Sequence, residues 1–250
     1  HAYNPTDLRE TSIFINRGQM QRLGMWDDGE ALEGLLAHEH AHPLSENATT
    51  RRARNMRATF QQTSVVGQSS AVSGRVLHAL EHLAHELCLH APHEVFANEL
   101  AIRVGCGSQL FALNRMSLTA GRAGIEVRNA LAAHLKAEVE NGGLSKNTAT
   151  LLLLLASLEA HVRVALEVAA FVRTESHELA NALESLLRQE TFRHVESEIE
   201  TIYRQLCTSY GALTADMGEG LLQDWARHTF TPITNVVARY GAHFTASFHF

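Results

Sequence analysis

The sequence predicts an α+β chain that is mainly α, and three observations predict it. Apolar residues recur at helical spacing over most of the length. Proline stands only at positions 5, 43, 92 and 232, so the long interval between the last two carries no helix breaker of that kind. The best run of strand formers, Thr11-Ser-Ile-Phe-Ile-Asn16, lies near the N-terminus, which places a small sheet there. With 250 residues and 45% apolar side chains, the chain can fill one sizeable core or two smaller ones.

Taken in order, the strand run ends before Gly18. A helix follows from about Asp28, with Asp27 and Glu30 spaced like a capping box. It runs through Leu32, Leu35 and Leu36 to His42, where Pro43 ends or kinks it. Further helices are expected at about 48–62, 70–91 and 93–104, with Pro92 suited to a first turn. Residues 106–250 read as long helices, with Gly142-Gly143 and Gly211 as breaks and Leu179, Leu183, Leu186 and Leu187 as one apolar stripe. The stretch from Leu151 to Val172 has the length of a bilayer span. Its Glu159, His161, Arg163 and Glu167 are expensive at mid-membrane, so a buried helix and no transmembrane segment are expected. The expected division is residues 1–105 and 106–250, the second either separate or completing one core.

Composition excludes several functions. With 21 basic and 27 acidic residues, a formal charge of -6 excludes a general nucleic-acid binder. A mean hydropathy of -0.11 excludes a disordered tail. Cys88, Cys106 and Cys207 have no CxxC spacing and no disulfide framework; with no signal-peptide pattern, a cytoplasmic location is the expectation. The outlier is histidine, at 16 residues, which is also the commonest metal ligand.

Residues 38–42 read His-Glu-His-Ala-His and satisfy HExxH. Positions i and i+4 share a helix face, so His38 and His42 can bind one zinc ion. Glu39 stands one position on, placed to take a proton from water rather than to bind the metal. Roughly 0.1 chance matches to such a three-residue pattern are expected in a chain like this, so rarity alone does not decide. A second string of equal rarity, His78-Ala-Leu-Glu81-His82, satisfies the inverted motif HxxEH, with Glu159 as an available third ligand. The helical wheel separates the two. His78, Glu81, His82, His85 and Glu86 oppose an apolar side of Val76, Leu80, Leu83 and Leu87, as in an ordinary amphipathic helix. His38, Glu39 and His42 instead share their side with Ala31, Leu32 and Leu35, where polar groups need partners that a metal supplies.

A catalytic zinc site needs a third protein ligand. Glu94, just inside the helix opened by Pro92, shares a face with Asn98 and Ala101. Taken alone, Glu94 reads as an N-terminal carboxylate favoured by the helix dipole.

Three collinear segments carry a resemblance: SIFINRGQM (12–20), EALEGLLAHEHAH (30–42) and EVFANELAIRVG (94–105). The order of a strand ending in Arg-Gly, an HExxH helix and an E-x-x-A-[D/N] helix resembles the HtpX-like and CAAX-prenyl-protease group of gluzincin metallopeptidases, over about the first 105 residues. The resemblance implies a zincin-like region followed by a helical region, and a zinc-dependent endopeptidase acting on peptides or proteins. It implies zinc ligands His38, His42 and Glu94 and the general base Glu39. It also implies a substrate-pairing edge strand of Ser12, Ile13, Phe14, Ile15 and Asn16. Asn98 falls where the family has an aspartate turned to a ligand histidine, and an amide oxygen can accept the same imidazole N–H.

The sequence departs from the family at Pro43 and in lacking membrane spans, which implies a soluble or truncated member. No downstream His-Pro segment stands ready to stabilise an oxyanion; His177, Arg227, His228 and Tyr240 are the candidates. The alternative from another class is a zinc-binding interaction module, with residues 106–250 docking a protein partner or mediating self-association. The basic run Arg51, Arg52, Arg54 and Arg57 reads as a solvated helix face.

Overall fold

The computed structural model describes residues 2–3, 12–22, 24–65, 70–120 and 122–250. The chain is mainly α with small antiparallel ladders, as expected. Strand β1 (Ala2–Tyr3) pairs with β2 (Ser12–Ile13), and helices α1 (Arg17–Arg22), α2 (Gly29–Leu44) and α3 (Ala48–Asn55) follow. Strand β3 (Arg57–Val65) comes next, then α4 (Ser70–Ala84), α5 (Ala91–Ala101), α6 (Gly107–Ala120) and α7 (Arg122–Glu140). The chain ends with α8 (Lys146–His161), α9 (Val164–Arg173), α10 (His177–Leu187), α11 (Ser197–Gly211), α12 (Glu219–Arg239) and β4 (Ala242–His249).

The N-terminal strand is shorter than the sequence suggests. Ser12 and Ile13 are paired, Phe14–Asn16 have no regular structure, and Thr11 lies outside the described residues. Asn16 instead opens α1, its side-chain oxygen accepting from the Gln19 N–H at 3.1 Å. Helix α2 starts one residue later than a cap at Asp27 would give. The Asp28 carboxylate is the N-cap, accepting from Ala31 N–H at 3.0 Å, while Asp27 closes a 3-10 turn. Pro43 does not stop the helix at once, because only the Glu39 carbonyl loses its partner there and the Ser45 N–H closes the last turn on Ala41.

The expected helix over 48–62 is a correction. Helix α3 ends at Asn55, Met56 is extended, and β3 pairs antiparallel with β4 from Arg57↔His249 to Val65↔Ala242. The second strand lies at the far end of the sequence, where only helix was expected. Local periodicity cannot report a partner so distant.

Helices α4 and α5 are joined by one wide π-helical turn, His85–His90, so the predicted helices at 70–91 and 93–104 form a nearly continuous rod. The wide turn suits Pro92, which has no N–H to give. The carbonyl of Leu87, five residues before it, receives the hydroxyl of the fully buried Tyr210 at 3.1 Å. The rod ends at Gly105, whose φ of 96° is open to glycine without strain and redirects the chain into α6.

One buried cluster takes residues from both sides of position 105, from Ala41 to Phe248. Helices α8 and α9 lie within it, broken by a 42° bend. Among the described residues no single helix is long and apolar enough to cross a membrane. Gly34 lets α2 lie directly on α6: a β-carbon there would stand 2.2 Å from the Gln109 carbonyl oxygen. That close approach, with the packing of α2 on α5, fixes the HExxH helix against the Glu94 helix.

Candidate metal centre

Helix α2 carries His38, Glu39 and His42, and α5 carries Glu94 and Asn98. The His38 and His42 Nε2 atoms lie 3.0 Å apart. The Glu94 oxygens stand 3.5 Å from each of them, Oε2 facing His38 and Oε1 facing His42. These ligand atoms all lie within 4.8 Å of one another, the one such group of three among the described histidines, cysteines and carboxylates. Two imidazole nitrogens at 3.0 Å require a proton or a cation between their lone pairs.

Asn98 is buried at 2% exposure, and its Oδ1 lies 2.8 Å from His38 Nδ1. The amide oxygen accepts from Nδ1–H, which fixes the tautomer and leaves Nε2 free to face the trio. On the far side His90 Nε2 stands 2.7 Å from Glu94 Oε1, so the carboxylate is held from its own helix at i,i+4 spacing. Arg163, at the α8–α9 bend, approaches Glu94 Oε2 at 4.0 Å and Glu86 at 3.3 Å.

The electrostatics follow from this packing. Burial pulls the His38 imidazole down, but the Glu94 carboxylate and Asn98 outweigh it and leave its pKa raised. Burial and the neighbouring His38 lower His42. Burial raises Glu94, yet its hydrogen bonds to His38 and His90 hold it well below the usual carboxylate range, so it is ionised. His93, next to Glu94 in sequence, is pushed down to about 4 by burial and by Arg54.

The trio opens into a cavity of about 690 Å³, whose wall also carries Glu39, Leu35, Asn114 and Glu167. His42 and His90 separate it from a second cavity of about 280 Å³, lined by Arg54, His85 and His93. The donor set, two neutral imidazole nitrogens and an anionic carboxylate with one ligand backed by an amide, can hold a metal ion.

The sequence-predicted residues divide cleanly. His38, His42, Glu94, Glu39 and Asn98 come together at one cavity. None of Ser12–Asn16 lines it; Gln19 and Met20 of α1 do. His177, Arg227, His228 and Tyr240 do not line it either, and Arg163 is the cation that does. His78 and His82 point away on the exposed face of α4, where His82 lies 3.7 Å from Glu159, both half-exposed. Three titratable residues of the cavity are not assigned to it by the sequence: His90, Arg163 and Glu167. The signal for His90 was its position four before Glu94. For the other two it was charge in the most apolar stretch of the chain, weighed only against a membrane span. No family model, curated protein or solved structure matches the chain.

Proposed function

We propose that the chain is a zinc-dependent endopeptidase, with His38, His42 and Glu94 holding the zinc and Glu39 as general base. The observation that carries this reading is the convergence of a His-His-Glu trio on a cavity whose wall also bears the glutamate of the same HExxH string. Two histidines and a glutamate form one of the ligand sets of catalytic zinc sites, which keep a further position open. The three collinear segments that resemble the HtpX-like and CAAX-prenyl-protease group support the same assignment.

When bound, zinc supplies Lewis-acid polarisation of the scissile carbonyl and lowers the pKa of water to about 7. Glu39 takes the proton of the attacking water and passes it to the leaving amine. Asn98 holds His38 in the tautomer that presents Nε2, and His90 orients the Glu94 carboxylate. The Arg163 guanidinium, at the cavity wall, meets the negative charge that develops on the carbonyl oxygen. The cavities on the two sides of His42 and His90 leave room for peptide on either side of the scissile bond.

The test combines zinc stoichiometry with cleavage of a denatured protein substrate. Wild type binds one zinc per chain and cleaves. Glu39→Gln keeps the zinc and loses cleavage by at least about a thousandfold, the scale on which a proton-transfer group acts. His78→Ala changes neither. Cleavage at full rate by Glu39→Gln sinks the mechanism; zinc binding with no cleavage by wild type leaves the interaction module as the better account.

A further inference from the structure

Beyond the trio, the main cavity opens into a side chamber of about 330 Å³, with Asn114, Ser117, Arg163 and Glu167 lining both spaces. The chamber wall is completed by His161 at the end of α8, together with Val164 and Thr191. Its volume sits at the small end of ligand pockets, which begin at about 300 Å³.

Two of the lining residues each carry a buried side-chain atom with no hydrogen-bond partner among the described residues: His161 Nε2 and Glu167 Oε2. A buried polar atom that nothing satisfies costs about 1–3 kcal/mol. Asn114 and Ser117 each spend a donor on the carbonyls of Leu110 and Leu113. The two unpartnered atoms are the buried polar groups of the chamber residues that still lack a partner.

We propose that the chamber is a specificity subsite, taking an uncharged hydrogen-bonding side chain (an amide or a hydroxyl) of a bound peptide through His161 Nε2 and Glu167 Oε2. The subsite rests on the endopeptidase reading for its ligand, a peptide. Charge argues for an uncharged group. Arg163 at the mouth opposes a cation, and the ionised Glu94 beside it opposes an anion. An apolar side chain would leave both wall atoms unpaired. Burial, aided by Arg128, keeps His161 neutral, so its Nε2 donates or accepts according to tautomer; burial raises Glu167 to about 7, so its carboxyl accepts when ionised and can donate when protonated.

The test selects a randomised linear-peptide display library on the full chain carrying Glu39→Gln, with and without added zinc. The expected result is at least about tenfold enrichment of Gln, Asn, Ser or Thr over Leu, Lys and Glu at one position. In Glu167→Leu and in His161→Phe the enrichment falls to within about twofold, while Glu167→Gln, which keeps a hydrogen-bonding group, retains it. Absence of peptide binding overturns the subsite, as does a charged or apolar preference, or a preference unchanged in both Glu167→Leu and His161→Phe. Selected peptides are then offered to zinc-loaded wild type. Peptides that show the preference but are not cut sink the peptidase reading and leave the subsite standing.

Discussion

Replacing Asn98 by alanine removes the only hydrogen bond that holds the His38 ring by its Nδ1 among the described residues, 2.8 Å long between residues 60 positions apart. Without it, the proton is no longer fixed on Nδ1, and the ring samples the tautomer that blocks Nε2. Loss of an outer partner of this kind costs about 10- to 100-fold in metal affinity, or roughly 1.4–2.8 kcal/mol. Fold stability responds less. The same substitution deletes Asn98 Nδ2, a buried donor with no partner, which offsets part of the penalty for the stranded Nδ1–H. Affinity and stability therefore separate. Asn98→Asp acts in the opposite direction, since a carboxylate raises the basicity of the ligand, and tightens binding by up to about tenfold. The assay is zinc competition against a chromophoric chelator, with thermal unfolding in parallel. An Asn98→Ala affinity within twofold of wild type, where His38→Ala abolishes binding, would refute the reasoning.

Two further outcomes follow from packing and protonation. Gly34→Ala gains about 1 kcal/mol in helix propensity but drives a β-carbon to 2.2 Å from the Gln109 carbonyl oxygen, so α2 and α6 must part. Overpacking of about 1–3 kcal/mol or more outweighs the gain, lowering Tm by several degrees and weakening zinc binding; an unchanged Tm rejects the close-contact account. Glu167 has a folded pKa of about 7 against an ordinary 4.5, so the unfolded chain releases this proton first as pH rises. The stability it contributes is complete below 4.5, is lost progressively towards 7, and is gone above it. Glu167→Gln, neutral throughout, matches wild type at pH 4.5 and exceeds it at pH 8 by on the order of 2–3 kcal/mol. Urea unfolding at pH 5, 6, 7 and 8 reads this directly, and a gap that does not change with pH contradicts it.

The parts of the site legible in the sequence were those set by one helix at a time. His38, Glu39 and His42 are read from i,i+4 spacing and from the apolar company of Ala31, which is fully buried. Glu94 and Asn98 are likewise one face of one helix, and it took the resemblance to join that face to the first. The amphipathic reading of α4 holds in the same way, with Val76, Leu80 and Leu83 buried and His78, Glu81 and His82 exposed. What stayed hidden depended on distant partners. Strand β3 exists because β4 lies beside it, nearly two hundred residues on, and Arg57–Val65 followed a real helix with no proline between. Arg163 reaches the cavity because α8 and α9 bend at that point, which an unbroken apolar stretch does not announce. Asp28 displaced Asp27 as the cap by a single residue, the scale at which helix boundaries are least determined by sequence.

The wide turn at His85–His90 also sets an angular phase. It is the gauge between the solvent-facing histidines of α4 and the inward-facing carboxylate of α5. Each residue of an α-helix advances the side chains by about 100° and the axis by about 1.5 Å. Removing one residue from the turn would restore ordinary winding and swing Glu94 about a quarter of a circle from His38 and His42, with every ligand still encoded. The segment is therefore bound by its length more strictly than by its side chains. An insertion or deletion there pulls Glu94 out of the cluster with His38 and His42, while a surface exchange such as His85 for another polar residue leaves that phase untouched.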